Sequence, residues 1–154
     1  MPVGGADVVQ VAKSTDTSLL RLRRPPLAGA LFIDWAPMLP ATGIEVVAIH
    51  RPNAGLQQRT VAVVSAHKTC VQTDSCGDDA DPDAIHYLRV KRRAGSTSPG
   101  SSGAGLFNES QQLVAALLGG SDEGQADAFD YYGRFDMPYR AALHRWLGTT
   151  KPAP

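Results

Sequence analysis

A serine framed by glycines is the feature of this chain with the clearest capacity for chemistry. Residues 95 to 105 read GSTSPGSSGAG and lie between an apolar run, Ile85 to Val90, and a second run beginning at Leu106. A serine presented in a tight bend between two strands can attack an acyl carbon while nearby backbone amides stabilise the resulting oxyanion. Ser102 is therefore the candidate nucleophile. The composition of the same segment, with four glycines and four serines, is also typical of a flexible linker.

The two cysteines and the acidic stretch that follows them are the next candidates for chemistry. Cys70 and Cys76 are compatible with a small-loop disulfide or with two free thiols. No histidine pattern completes a zinc site with them. The acidic stretch begins like a calcium loop at Asp79, but Pro82 and Ala84 break the pattern, which predicts a solvated loop. We expect no metal ion and no other cofactor.

Composition narrows the class of protein. The chain has 154 residues, of which 15 are basic, 15 acidic and 43% hydrophobic, so it can bury the core of one domain. The balanced charge argues against nucleic acid as a partner. No apolar run is long enough to span a membrane, and the first ten residues do not resemble a signal peptide.

The distribution of turn residues predicts an all-β fold. Short runs rich in Val, Ile and Leu, bounded by Gly, Pro, Asn or Asp, predict strands. They are Val8–Ala12, Ser18–Leu22, Leu31–Ile33, Ile44–Ile49, Thr60–Ala66, Ile85–Val90, Leu113–Leu118 and Phe129–Phe135. A single helix is predicted from Pro138 to Leu147, ended by Gly148, with a frayed tail over residues 149–154.

Five separate motifs, in order along residues 4 to 148, resemble the chymotrypsin-like serine proteases and, within them, the bacterial lysyl-endopeptidase-type branch. The motifs are STDTSLLRL (Ser14–Leu22), VVAIHRPNAGLQQR (Val46–Arg59), PGSSGAGLFN (Pro99–Asn108), LLGGS (Leu117–Ser121) and DYYGRF (Asp130–Phe135). The resemblance implies the second six-stranded antiparallel barrel of that fold together with the last strands of the first barrel. It divides the chain into residues 1–28 (remnant of the first barrel), 29–137 (second barrel), 138–148 (helix) and the tail.

The resemblance also implies roles for the nucleophile loop. Ser102 would attack a peptide carbonyl, and the backbone amides of Gly100 and Ser102 would form the oxyanion hole. Asp16 would be the triad carboxylate, although the residues alone favour an N-cap or turn residue at this position. Ser101 stands where chymotrypsin relatives carry an Asp that pairs with a freed N-terminus, so that activation switch should be missing.

The primary specificity pocket is placed by the same resemblance on the last two motifs. Asp130 would receive the side chain that precedes the cut bond, which favours Lys or Arg because the stem packs while the cation pairs. The alternative is an exposed Asp that opens a strand. Leu118, Gly119 and Gly120 would form the wall against which the substrate strand lies.

No histidine of this chain matches the catalytic position of the family. A serine needs a general base, which the resemblance places in the first barrel, before Asp16. His50, His67, His86 and His144 all come later and are expected to be structural or surface residues. The missing N-terminal barrel is therefore an expected partner.

Two functions from different classes remain open. The first is a serine endopeptidase that cuts peptide or protein substrates after Lys or Arg and is inactive without the histidine-bearing barrel. The second is a non-catalytic β-barrel that binds or interacts. An esterase that uses the same serine is a less favoured third hypothesis. The nucleophile elbow of the α/β-hydrolases needs a strand-to-helix turn, whereas Ser102 is followed by a predicted strand. The resemblance places the protein outside the cytoplasm, either secreted or periplasmic.

Overall fold

The structure is a computed structural model that describes residues 4–72, 75–79, 81, 83–121 and 127–148. Nine strands are assigned in that part of the chain. They are β1 (Ala6–Ala12), β2 (Thr17–Leu22), β3 (Glu45–His50), β4 (Gln58–Gln72), β5 (Ser75–Gly77), β6 (Tyr87–Ala94), β7 (Gly105–Phe107), β8 (Leu113–Gly120) and β9 (Phe129–Arg134). The predicted frayed tail lies outside the described residues.

Six of these strands close into an antiparallel barrel. The hydrogen-bonded order is β3-β7-β8-β9-β6-β4, and a further pairing between β3 and β4 closes the ring. The predicted all-β barrel fold is therefore confirmed. Closure covers the strand edges along the paired parts of these six strands.

The barrel interior is filled by alternate residues of each strand. Val46, Ala48, Val64, Val90 and Leu106 are each no more than 2% exposed. Because successive side chains of a strand point to opposite faces, this period of two places them in one core. Tyr132 joins the same core and is fully buried.

Two details of the predicted elements are wrong. Leu31–Ile33 is not a strand, and the side chains of Leu31 and Phe32 are 96% and 81% exposed. The segment that follows pairs with the barrel through a single bridge between Trp35 and Leu113, and the apolar run before it has no strand to pair with. β4 extends six residues beyond the predicted end at Ala66, because β5 pairs with its outer half.

The outer half of β4 and β5 form a hairpin that a disulfide crosses. Cys70 and Cys76 are paired in register, and their sulfur atoms are 2.04 Å apart. Of the two alternatives for these cysteines, the structure shows the bonded pair.

β1 and β2 form a separate two-stranded sheet that docks on the barrel through the turn between them. This turn is the 3-10 segment Lys13–Thr15, in which Thr15 is fully buried. A Cβ atom on Gly133 of β9 would overlap the backbone carbonyl of Thr15. Glycine at position 133 therefore allows the turn to lie directly against the barrel wall.

The last element is helical over residues 136–147, two residues earlier than predicted. It comprises α1 (Asp136–Pro138), a π-helical segment (Tyr139–Leu143) and α2 (His144–Leu147). Gly148 ends it with a φ of 71°. The buried carboxylate of Asp136 accepts hydrogen bonds from Arg134 and Arg140, which ties the helical segment to the end of β9.

Candidate active site

The nucleophile loop connects β6 to β7 and is held in a fixed bend. Its glycines Gly100 and Gly103 have φ values of 93° and 80°, a region that other residues resist. The carbonyl of Pro99 accepts a hydrogen bond from the amide of Asn53 (2.7 Å), and the amide of Gly103 donates to Leu117 (2.8 Å). These anchors on both sides of the bend rule out the flexible-linker interpretation.

The bend exposes Ser102 and buries its neighbour. Ser101 is 2% exposed, whereas Ser102 lies at the surface. The amides of Ser101, Gly103 and Ala104 donate to backbone carbonyls. Within the described residues, the amides of Gly100 and Ser102 have no such acceptor, so these two donors are left for a ligand.

Buried hydrogen bonds connect Ser101 to the barrel wall through His50. Nδ1 of His50 lies 2.8 Å from Oγ of Ser101, and Nε2 lies 2.9 Å from Oγ1 of Thr60. Oγ1 of Thr60 donates to the carbonyl of Ser96, and the amide of Ser98 donates to Oγ of Ser101. These bonds tie the start of the loop to its tip.

The donors and acceptors of this chain of bonds fit a neutral imidazole. Thr60 uses its hydroxyl proton on Ser96, so it accepts from Nε2 of His50, and Nδ1 is then the acceptor for the Ser101 hydroxyl. Burial lowers the pKa of His50 below its ordinary value, opposed by the negative charge of Asp130. A proton on Nδ1 would leave the Ser101 hydroxyl without its acceptor. His50 is thus a structural histidine, and it holds the residue that precedes the candidate nucleophile.

Asp16 lies at the end of the docked turn. It adopts the left-handed conformation, with a φ of 49°, and its side chain is exposed. Burial raises the pKa of Tyr87, and the negative charge of Asp16 raises it further. Asp16 also lines a cleft of about 680 Å³ together with Gly103, the residue after Ser102. The structure therefore places Asp16 and the nucleophile loop beside one cleft.

Asp130 is fully buried and already has a cationic partner. Its Oδ1 accepts hydrogen bonds from Nη1 of Arg92 (2.9 Å) and Oγ1 of Thr97 (2.6 Å). Burial raises the pKa of the Asp130 carboxyl, whereas Thr97, Arg92 and His50 act in the opposite direction. Within the described residues, Oδ2 of Asp130 has no hydrogen-bond partner. The alternative of an exposed Asp opening a strand is therefore wrong.

The wall predicted for the substrate is the end of β8. A bulge between Leu117 and Gly119 leaves Leu118 outside the regular pairing with β9. β7 pairs with β8 only as far as Ala116. The edge of β8 that carries Gly119 and Gly120 is therefore not covered by β7, and a peptide strand could pair there.

The other histidines lie away from the loop. Nε2 of His67 bonds to the carbonyl of Pro40, and Nδ1 of His144 bonds to that of Tyr139. His86 lies directly before β6 and is half-buried. Among the described residues no hydrogen bond joins a histidine to Ser102.

The described part of the chain contains no group of three or more His, Cys, Asp or Glu side chains arranged to hold a metal ion. Within the same residues, no helix is both long enough and apolar enough to cross a membrane.

Comparison with models of known protein families shows to which family this barrel belongs. The family model for the C-terminal domain of lysyl endopeptidase matches residues 2–133. The chain belongs to this family. The family predicted from the sequence is thus confirmed. Membership of this family makes the chain a serine protease-type domain. A search of curated proteins gave no match to the sequence.

Solved structures agree with the fold of a lysyl endopeptidase C-terminal domain. The crystal structure of the active form of the Rv3671c protease from M. tuberculosis is similar over 97% of this chain, with a TM-score of 0.63 and 19% identity. The MamO protease domain from Magnetospirillum magneticum, in its apo form, is similar over 91%, with a TM-score of 0.54 and 15% identity. The chain spans 61% of the Rv3671c structure and 66% of the MamO structure.

Proposed function

We propose that the chain is the nucleophile-bearing barrel of a serine endopeptidase. The observation that carries the proposal is the bend at Gly100–Gly103, which exposes Ser102 and leaves the amides of Gly100 and Ser102 without backbone acceptors. Ser102 would form the acyl-enzyme, the two amides would stabilise the oxyanion, and Asp16 would orient the imidazole of the base.

The general base would come from a first barrel that docks on the β1–β2 sheet. Four large apolar side chains of this sheet are 49–65% exposed: Val8, Val11, Leu20 and Leu22. Such a patch is typical of a protein interface. Without a partner barrel, we expect the chain to self-associate, and a sharp monomer peak in size-exclusion chromatography would contradict this part of the proposal.

The finer part of the proposal concerns the residue before the cut bond. Asp130 gives the pocket the carboxylate that suits Lys or Arg, and its Oδ2 has no hydrogen-bond partner within the described residues. Its Oδ1, however, is paired with Arg92. We propose that the Asp130 carboxylate by itself would make the pocket suit Lys or Arg, and that Arg92 governs whether the carboxylate is used. The substrate strand would pair with the edge of β8 at Gly119 and Gly120, beside Leu118.

The proposed location is outside the cytoplasm, in the secreted or periplasmic fraction. The bonded cysteine pair supports this, because disulfides persist in oxidising compartments. Peptides or proteins are the proposed substrates.

Complementation tests the proposed activity. The chain is produced alone, together with the first barrel of a lysyl endopeptidase, and fused to the coding sequence that precedes it in its genome. Peptides with Lys, Arg, Gln or Leu before the scissile bond are then offered, with Ser102→Ala as the control. We expect cleavage only when a histidine-bearing barrel is present and Ser102 is intact. No cleavage in any combination would contradict the proposal.

The alternative is a non-catalytic β-barrel that binds a partner. The observation that favours it is that no histidine hydrogen-bonds Ser102 within the described residues. In that case Ser102→Ala would leave every measurable property of the reconstituted protein unchanged.

A further inference from the structure

Arg92 was not singled out as a site residue by the sequence, yet it lies between the two motifs of the proposed pocket and the start of the nucleophile loop. Its Nη1 donates to Oδ1 of Asp130 on β9 and to Oγ1 of Thr97 in the nucleophile loop, at 2.9 and 2.6 Å. Its Nη2 donates to the carbonyl of Ser121, directly after β8, at 3.0 Å. One guanidinium therefore connects the two segments that the family resemblance places at the primary pocket with the start of the nucleophile loop.

We infer that Arg92 is a resident cation of this pocket: it neutralises Asp130, so that the native pocket takes an uncharged side chain, and its removal makes the pocket selective for Lys and Arg. The inference rests on the proposed function, because only a peptidase gives the pocket a substrate side chain.

The burial of the pair shows that Arg92 is a fixed occupant. The side chains of Arg92 and Asp130 are 4% and 0% exposed. A surface ion pair is mobile and screened by water, whereas a buried and multiply hydrogen-bonded pair is held in one geometry. An arriving substrate would therefore meet the pair already formed.

Charge balance then disfavours a second cation. Arg92 and Asp130 together carry no net charge, and Oδ1 of Asp130 already accepts two hydrogen bonds. Oδ2 is buried, so a Lys or Arg side chain would find no accessible carboxylate oxygen and would lie close to the like charge of Arg92 in a poorly solvated site. A neutral side chain avoids this repulsion.

The close approach of β8 adds to the selectivity. A Cβ atom on Gly120 would overlap Oδ1 of Asp130 and the carbonyl of Phe129. The backbone of β8 therefore covers Oδ1 from that side, and a substrate cation could not replace Arg92 there while Arg92 stays in place.

Binding of benzamidine, a rigid amidinium probe, tests the inference without any need for catalysis. Isothermal titration compares the native chain, Arg92→Ala, the double variant Arg92→Ala/Asp130→Asn, and Arg93→Ala. Arg93 is the matched control, because it is the next residue on β6, has the same charge and is exposed. All four are measured in a Ser102→Ala background, so the result is independent of whether Ser102 is a nucleophile.

We expect Arg92→Ala to bind benzamidine about ten- to a hundredfold more tightly than the native chain, the range for one charge-assisted hydrogen bond. The double variant and Arg93→Ala should bind as weakly as the native chain. Equal binding by the native chain and Arg92→Ala would overturn the inference, as would tight binding by the double variant.

A second measurement applies if Arg92→Ala does not fold, because Asp130 would then be a buried charge without its partner. Ethylguanidine can occupy the space of the missing side chain and supply the cation. We expect millimolar ethylguanidine to restore the folded state of Arg92→Ala, measured by circular dichroism, and to leave the double variant unchanged. Failure to restore it would overturn the inference. Failure of the peptidase assay alone would contradict only the proposed function.

Discussion

The hydrogen bonds of His50 should hold the nucleophile loop in the conformation that exposes Ser102. His50→Ala removes two buried bonds, at 2.8 Å to Ser101 and 2.9 Å to Thr60. Ser101 and Thr60 each retain one backbone partner, Ser98 and Ser96. Thr60 still donates to Ser96, whereas the buried Ser101 hydroxyl loses its acceptor, so we expect a loss of about 2 to 4 kcal/mol in the free energy of unfolding.

Urea denaturation of the purified chain measures this loss, with His86→Ala as the control. His86 is half-buried and its backbone carbonyl, rather than its ring, accepts the hydrogen bond from Arg134. We expect the control to lose less than about 1 kcal/mol. A double-mutant cycle of His50→Ala with Ser101→Ala should give a coupling free energy of about 1 kcal/mol, the scale for directly bonded side chains.

Amide hydrogen exchange separates a local effect from a global one. In His50→Ala, the amides of Ser101 and Gly103 should exchange faster, whereas those of the β6–β9 pairing should change only as far as global stability requires. If His50→Ala were as stable as His86→Ala and showed no coupling to Ser101, the role assigned to His50 would be refuted.

The remaining predictions concern pH, docking of the turn and the disulfide. Because burial lowers the pKa of His50, unfolding takes up a proton just below pH 6.5. The free energy of unfolding of the native chain should therefore decrease as the pH is lowered through that range. The decrease should be smaller in His50→Ala, and urea midpoints measure both. In the same assay, Gly133→Ala should lower the free energy of unfolding by about 1 to 3 kcal/mol, whereas Gly77→Ala, whose Cβ meets no atom, should leave it unchanged. Equal losses in the two variants would contradict the docking geometry. Thiol titration under denaturing conditions should find no free thiol. Replacing Cys70 and Cys76 by serine should lower the free energy of unfolding by at most about 2.5 kcal/mol, because the closed loop is short. Two titratable thiols would contradict the bonded pair.

The barrel could be predicted from the sequence because its strands follow local rules. Alternating apolar residues, bounded by turn residues, indicated β3, β8 and β9 within one or two residues at most ends. The run Leu31–Ile33 follows the same local rule and is wrong, because a strand also needs a partner edge, which depends on the arrangement of the whole chain. The outer half of β4 was missed for the opposite reason, since its pairing with β5 compensates for a polar sequence.

The candidate site divides in the same way. The exposed position of Ser102 and the burial of Ser101 follow from the glycines around them, which the sequence displays directly. The partners of Ser101 and Asp130 were not predictable, because His50 and Arg92 come from strands 51 and 38 residues away. An arginine just after a predicted strand looks like a surface residue until the fold brings a buried carboxylate to it.

Mapping the adduct of an organophosphorus fluoridate shows whether Ser102 is the nucleophile. The chain complemented with a histidine-bearing barrel is treated with diisopropyl fluorophosphate, digested and sequenced by mass spectrometry. The account predicts one phosphorylated residue on this chain, Ser102, with loss of labelling in Ser102→Ala and slower labelling in Asp16→Asn. Labelling at another serine, or peptidase activity that survives in Ser102→Ala, would contradict it.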